Sequence, residues 1–131
     1  MIVIDTSALV AIIAREPDAA QFGAILGSRT DLVLSAATAV EAYIVVRSRW
    51  GHEGVSRLDA LLELGSVELR AFDAPQMELA IDAHRRFGRG SGHPAKLNYG
   101  DCFAYALARR HNTPLLFKGD DFVHTDIRPA L

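Results

Sequence analysis

What this sequence lacks narrows it before what it contains. There is a single cysteine, Cys102, so no intrachain disulfide can form. Set between Asp101 and Phe103, it reads as a small core residue rather than a nucleophile. No apolar run is long enough to span a bilayer, so no membrane role is expected. Met1 to Val3 run straight into Asp5 without a basic leader, which argues against a signal peptide and makes the cytoplasm the expected compartment. There is no His/Cys spacing for structural zinc. There is no G-x-x-x-x-G-K-[ST] loop and no G-x-G-x-x-G after a strand. The glycine-rich stretch Gly88-Arg89-Gly90-Ser91-Gly92 follows a helical segment and fits neither nucleotide motif. No G-x-S-x-G elbow exists for a serine hydrolase. Excess charge is also missing. A formal net charge of −2 does not announce a nucleic-acid binder, so any such role has to rest on local charge.

What is present is globular. Half of the 131 residues are hydrophobic and 23% are charged, which suits one domain over residues 1–131 with a buried core. Ile2-Val3-Ile4 is a β-branched run that reads as a buried parallel strand. Residues 7–14 carry an apolar stripe of Leu9, Ile12 and Ile13, and a second helix spans about 18–26. Residues 32–35 form a second strand, and 36–50 a long helix stopped by Gly51. Residues 55–64 have helical spacing, 67–72 strand character. Pro75 opens a helix to Phe87, and Gly88 to Pro94 mark a loop. Residues 99–111 read as a helix and 115–117 as a fourth strand, with 125–127 as a candidate fifth. Alternating strands and helices predict an α/β fold, a parallel sheet with helices on both faces.

Three acids occupy unusual positions. Asp5 ends the first strand, at the edge where open α/β sheets bind ligands; it also suits capping of the next helix. Glu41 is the only charged residue between Asp31 and Arg47. A carboxylate in so apolar a helix needs compensation, from a buried arginine or from a divalent cation shared with other acids. Asp101 falls in the first turn of its helix, where the dipole favours negative charge, and its helix is otherwise apolar. Three such acids suit a hard cation with oxygen ligands, magnesium or its substitute manganese.

Four stretches together resemble the motifs of PIN domains, and in particular the VapC toxins of bacterial toxin–antitoxin pairs. They are Ile2-Val3-Ile4-Asp5-Thr6-Ser7-Ala8-Leu9, then Ser35-Ala36-Ala37-Thr38-Ala39-Val40-Glu41, then the run from Asn98 through Asp101 to Ala108, and Leu115-Leu116-Phe117-Lys118-Gly119-Asp120-Asp121-Phe122. The resemblance covers essentially the whole chain. It implies a three-layer α/β/α fold with a central parallel sheet of four to five strands, and a magnesium-dependent endoribonuclease. By position, Asp5, Glu41 and Asp101 match the metal-holding acids, and Ser7 the small polar residue that steadies the first of them. The fourth acid departs from the pattern: the expected position is Gly119. Asp121, beside Phe122, is the favoured substitute, with Asp120 as the alternative.

The resemblance also implies a VapB-like antitoxin and a homodimer. The apolar residues Leu9, Ile12, Ile13, Phe22 and Ile25 would supply a partner groove or simply core. RNA needs positive charge near the acids. From Ala83 to Gly100 there is no acid, while Arg85, Arg86, Arg89 and Lys96 are basic with His84 and His93 beside them, a strip suited to phosphate contacts or a solvated helix end. Tyr99 would stack on a base or pack as a structural aromatic. Two competitors remain. Aspartate-nucleophile phosphatases need a second aspartate where Ser7 stands. A catalytically inactive PIN-like interaction module would not need its acids intact.

Overall fold

A computed structural model describes residues 1–131. The strands are β1 (Ile2–Ile4), β2 (Leu32–Ser35), β3 (Glu68–Arg70) and β4 (Leu115–Leu116). They form one fully parallel sheet in the order β3-β2-β1-β4. Helices α1 (Thr6–Ile13), α2 (Ala19–Ser28), α3 (Ala36–Leu64), α4 (Ala74–Phe87) and α5 (Asp101–Arg110) connect them.

The period of two along each strand sorts the core into two halves. Ile2, Ile4, Leu32, Leu34 and Leu116 face α1, α2 and α3. Val3, Val33 and Leu115 face α4 and α5, where Ala80, Ala83, Phe87, Tyr105 and Leu107 pack. This is the expected α/β/α sandwich, and it accounts for the unbroken apolar runs of β1 and β2, buried on both faces.

Several expectations about elements change. β3 is only three residues long because it lies at the sheet edge, where its residues are exposed or half-buried. The expected fifth strand at 125–127 is absent. Instead Leu115 bridges Pro129, donating its N–H to the Arg128 carbonyl, so β4 has chain on both sides without a fifth strand. Gly51 is a corner rather than a stop: at φ 62, ψ −144 it turns α3 and the helix resumes at once. That conformation belongs almost only to glycine. Leu9, Ile13 and Phe22 are core, so the core reading holds for those three; Ile12 and Ile25 pack against that core and are only partly buried. No helix is long and apolar enough to cross a membrane.

Candidate active site

Parallel strands point their carboxyl ends at one edge of the molecule, and the candidate acids gather there. Asp5 follows β1 and caps α1: the Ser7 N–H donates to its Oδ2 at 3.0 Å and the Ser7 hydroxyl at 2.6 Å. The Ser7 oxygen in turn accepts the Lys118 N–H just past β4 at 2.9 Å. One serine thus ties Asp5 to the end of the neighbouring strand. Asp5 is 3% exposed, and its Oδ1 has no hydrogen-bond partner. The capping and ligand readings of Asp5 are therefore compatible: one oxygen caps, and the other is left over.

Glu41 stands in the second turn of α3, whose start is capped by Ser35 Oγ. Its Oε1 accepts the Thr6 hydroxyl at 2.6 Å. Its Oε2 lies so close to Gly100 that a Cβ there would sit 1.7 Å away. No arginine pairs with it. The expected depth of burial is corrected, however: Glu41 is half-exposed, and its neighbours Val40 and Ile44 are 60% and 53% exposed. Apolar sequence around a residue does not bury it when the helix face points outward.

Asp101 opens α5 with a reciprocal capping arrangement. Its N–H donates to Asn98 Oδ1 at 2.9 Å, and the Asn98 N–H donates to its Oδ2 at 3.0 Å. Asp121 follows β4 and Gly119, which turns the chain at φ 99, and the buried Phe122 anchors it. Asp5, Glu41, Asp101 and Asp121 all line one pocket of about 350 Å³. Asp120 does not. It lines the adjoining cleft of about 760 Å³ with Asp121, Arg89, His93, Lys96 and His124.

The acids burden one another. Burial pushes the Asp5 carboxyl up to about 6, against the lowering effect of the Ser7 bonds, and Glu41 raises it further. Burial likewise holds Asp101 well above the usual carboxylate range, opposed by the Asn98 N–H and reinforced by Asp5, Asp121 and Glu41. No three acidic, histidine or cysteine side chains stand close enough to share one ion in this arrangement. The carboxylates stand around the pocket rather than together, and a cation would relieve the repulsion among them. The residues fit such an ion: the donors are all oxygen, and the unpartnered Asp5 Oδ1 needs what an ion would supply.

The structure divides the basic strip. Arg89 and Lys96 face the cleft beside Asp121. Arg85 pairs with Asp82 at 2.5 Å, and Arg86 lies near Asp82 and Asp126 with its guanidinium over Phe87. A gap in acids along the sequence is thus filled in space from one turn back and from residue 126. Tyr99 is 79% exposed, edge-on to Phe103. The Cys102 thiol is buried and pushed up to about 11 by burial and by Asp101, as a core cysteine should be. Sequence reasoning missed Thr6, Asn98, Gly100 and Arg49, which also lines the acidic pocket. The spacing Glu41, Val45, Arg49 puts all three on one helical face and was the available signal.

The acids thus line one pocket at the carboxyl edge of a parallel sheet covered by helices on both faces. The family model for the PIN domain matches residues 2–128, and the chain belongs to that family. It is 47% identical to Ribonuclease VapC30 of Mycobacterium tuberculosis over 125 residues, 95% of each chain. It is 46% identical to Ribonuclease VapC42 of the same organism over 129 residues, 98% of each, and 49% to Ribonuclease VapC of Mycolicibacterium smegmatis, over 95% of this chain and 96% of that one. Among solved structures, the fold is similar to VapC20 of Mycobacterium tuberculosis, a sarcin-ricin loop cleaving toxin. The TM-score is 0.75 at 18% identity, over 98% of this chain and 100% of that one. VapBC2 from Rickettsia felis, bound to a DNA fragment from its promoter, gives 0.72 at 18% identity, over 98% and 97%.

Proposed function

We propose that this protein is a VapC-type toxin, a magnesium-dependent endoribonuclease acting in the cytoplasm, forming a homodimer and held inactive by a cognate VapB-like antitoxin. The observation that carries the reading is the pocket itself. Four carboxylates from four separate stretches of chain converge on it, and the most buried one leaves an oxygen unpartnered. Relatives named as ribonucleases match nearly the full length, which favours an active nuclease over an interaction module.

Asp5, Glu41 and Asp101 would hold the cation. Magnesium suits an oxygen-only set, with manganese as a substitute. When bound, the ion lowers the pKa of a water and offsets charge on the attacked phosphate. Ser7 keeps Asp5 Oδ2 occupied so that Oδ1 is presented. Thr6 and Gly100 fix the Glu41 carboxylate between them, and Asn98 does the same for Asp101. Asp121, exposed at the rim, or Asp101 would orient the attacking water and take its proton. In-line attack leaves a 5′-phosphate and a 3′-hydroxyl. Arg89 and Lys96 draw the anionic strand toward the rim.

The test is cleavage of single-stranded RNA by the purified chain with magnesium, with excess chelator, and by the Asp5→Asn and Asp101→Asn variants. Loss of cleavage in chelator and in both variants, with the helical circular dichroism unchanged, is the expected result. Undiminished cleavage in chelator would refute the cation's role.

A further inference from the structure

The acidic pocket contains two basic side chains, and they differ in what they do. Lys118 is already taken: its ammonium is bonded by Glu16 and lies 3.0 Å from Asp18. Arg49 forms no ion pair, although the pocket also holds Asp5, Glu16, Glu41, Asp101 and Asp121. A guanidinium among five carboxylates normally bridges to one of them. Here the two acids nearest along its own helix are both engaged: Glu53 pairs with Arg57, and Glu41 is occupied by Thr6 and pressed against Gly100. Arg49 lies two turns further on, about 12 Å along the axis. It is at the end of the first segment of α3, just before the Gly51 corner, with its guanidinium 5.7 Å from the centre of the Trp50 ring. Exposed and unpaired, it is a ready contact for an anion.

The cleft that adjoins this pocket at Asp121 is lined by the loop at 88–97, and this loop is built rather than slack. Gly88 and Leu97 bridge at its base, and the Ser91 hydroxyl donates to the Gly88 carbonyl. The Ala95 N–H donates to His93 Nδ1 at 3.1 Å. That bond puts the proton of a neutral His93 on Nε2, a fixed donor in the cleft with Arg89 and Lys96. Unpaired positive charge therefore lines both the acidic pocket, at Arg49, and the cleft that adjoins it, at Arg89 and Lys96.

We infer that a single-stranded RNA crosses the pocket from Arg49 to the 88–97 loop, so that Arg49 binds a phosphate on the far side of the scissile bond from Arg89 and Lys96. The inference rests on the proposed ribonuclease reading for its substrate class. Its own content is a two-sided track: a strand anchored at only one end slides over the acids, and one anchored at both is held in register.

The test measures binding, so that it stands apart from cleavage. The full-length chain carrying Asp5→Asn, which preserves the helix cap, is titrated in magnesium with RNA of about 12 and about 4 nucleotides, the range of single-strand sites. Fluorescence anisotropy at several salt concentrations gives the slope. On the long strand, Arg49→Gln and Arg89→Gln each reduce the slope by about 0.7, the release from one single-strand phosphate contact, and together by about 1.4. On the short strand, which has fewer phosphates to share between the two positions, the pair loses less than it does on the long one. Arg49→Lys keeps the slope, separating charge from folding. Arg110→Gln, a change of equal charge at the other end of α5 from Asp101, leaves it alone. An unchanged slope for Arg49→Gln on the long strand overturns the inference, as does an equal fall for Arg110→Gln. So does failure of the parent to bind RNA at all. Binding with the expected slopes but no cleavage by the wild-type chain would instead refute the nuclease reading and leave the track standing.

Discussion

Asp120 and Asp121 are neighbours in sequence with different surroundings. Both face the basic cleft, but only Asp121 also reaches the pocket of Asp5, Glu41 and Asp101, and its charge is among those that hold the Asp101 carboxyl protonated to higher pH. Asp121→Ala should lower the rate of RNA cleavage by at least about 100-fold, the usual worth of a positioned acid–base group, and Asp120→Ala by far less. Equal losses, or the larger loss at Asp120, would show that the rim acid has been misassigned. The motif pattern located the pair but could not choose between them, because the register is broken at Gly119. Phe122 was the residue that decided it. A buried ring fixes the backbone beside it, and the side chain next to the ring inherits that fixed direction. That Asp5, Glu41 and Asp101 share one pocket was legible for a simpler reason: each lies within two turns of the start of a helix at the same sheet edge. The ion pairs of Arg85 and Arg86 were not legible, because the acids that pair with them come from the preceding turn and from residue 126.

At the scale of elements, the meeting of α3 and the start of α5 controls the site. Gly100 permits it, since the Glu41 carboxylate fills the space a Cβ would take. Gly100→Ala should therefore displace Glu41 and slow cleavage by about 100-fold, the cost of a misplacement near 1 Å. Melting temperature and helical dichroism should move little, because a flexible carboxylate can swing aside. Retention of full cleavage would show that Glu41 has freedom to spare. Nothing in the local sequence marks Gly100 in this way; it looks like an ordinary residue before a helix, and only the approach of a distant helix explains it. The same limit applies at Gly51. Local sequence shows that regular helix fails there, and the sharp turn that lets α3 continue is a tertiary outcome. The strands, by contrast, were readable because burial on both faces demands an apolar residue at every position. The candidate fifth strand failed because the chain after Phe122 is held by side-chain bonds, with the Thr125 hydroxyl donating to the Phe122 carbonyl, rather than by a ladder.

For the whole molecule, the acidic pocket sets stability against function. Asp5 titrates at about 6 in the folded chain against an ordinary 3.8. A raised carboxyl stabilises the fold while protonated. Its contribution is complete below pH 3.8 and is lost as pH rises through 6, a span worth about 3 kcal/mol. Without a divalent cation, the wild-type chain should lose stability from pH 4 to pH 7 relative to Asp5→Asn, which cannot titrate there. The comparison with that variant removes the opposing acid sensitivity of exposed pairs such as Arg29–Asp31. Millimolar magnesium should raise the wild-type melting temperature at pH 7 and leave Asp5→Asn nearly unchanged. A flat difference between the two proteins would mean that the pocket does not strain the fold. The strand order has a further consequence, for how the chain is made. Translation delivers Asp5 long before Asp121, yet β4 pairs directly with β1 and the Lys118 N–H locks onto Ser7. A nascent chain whose residues 115–121 are still inside the ribosome carries Asp5 and Glu41 without the strand that closes their edge, so the complete pocket forms only once that stretch is free. The ribosome, itself made of RNA, is thereby spared a finished pocket for as long as the last strand is still inside its exit tunnel.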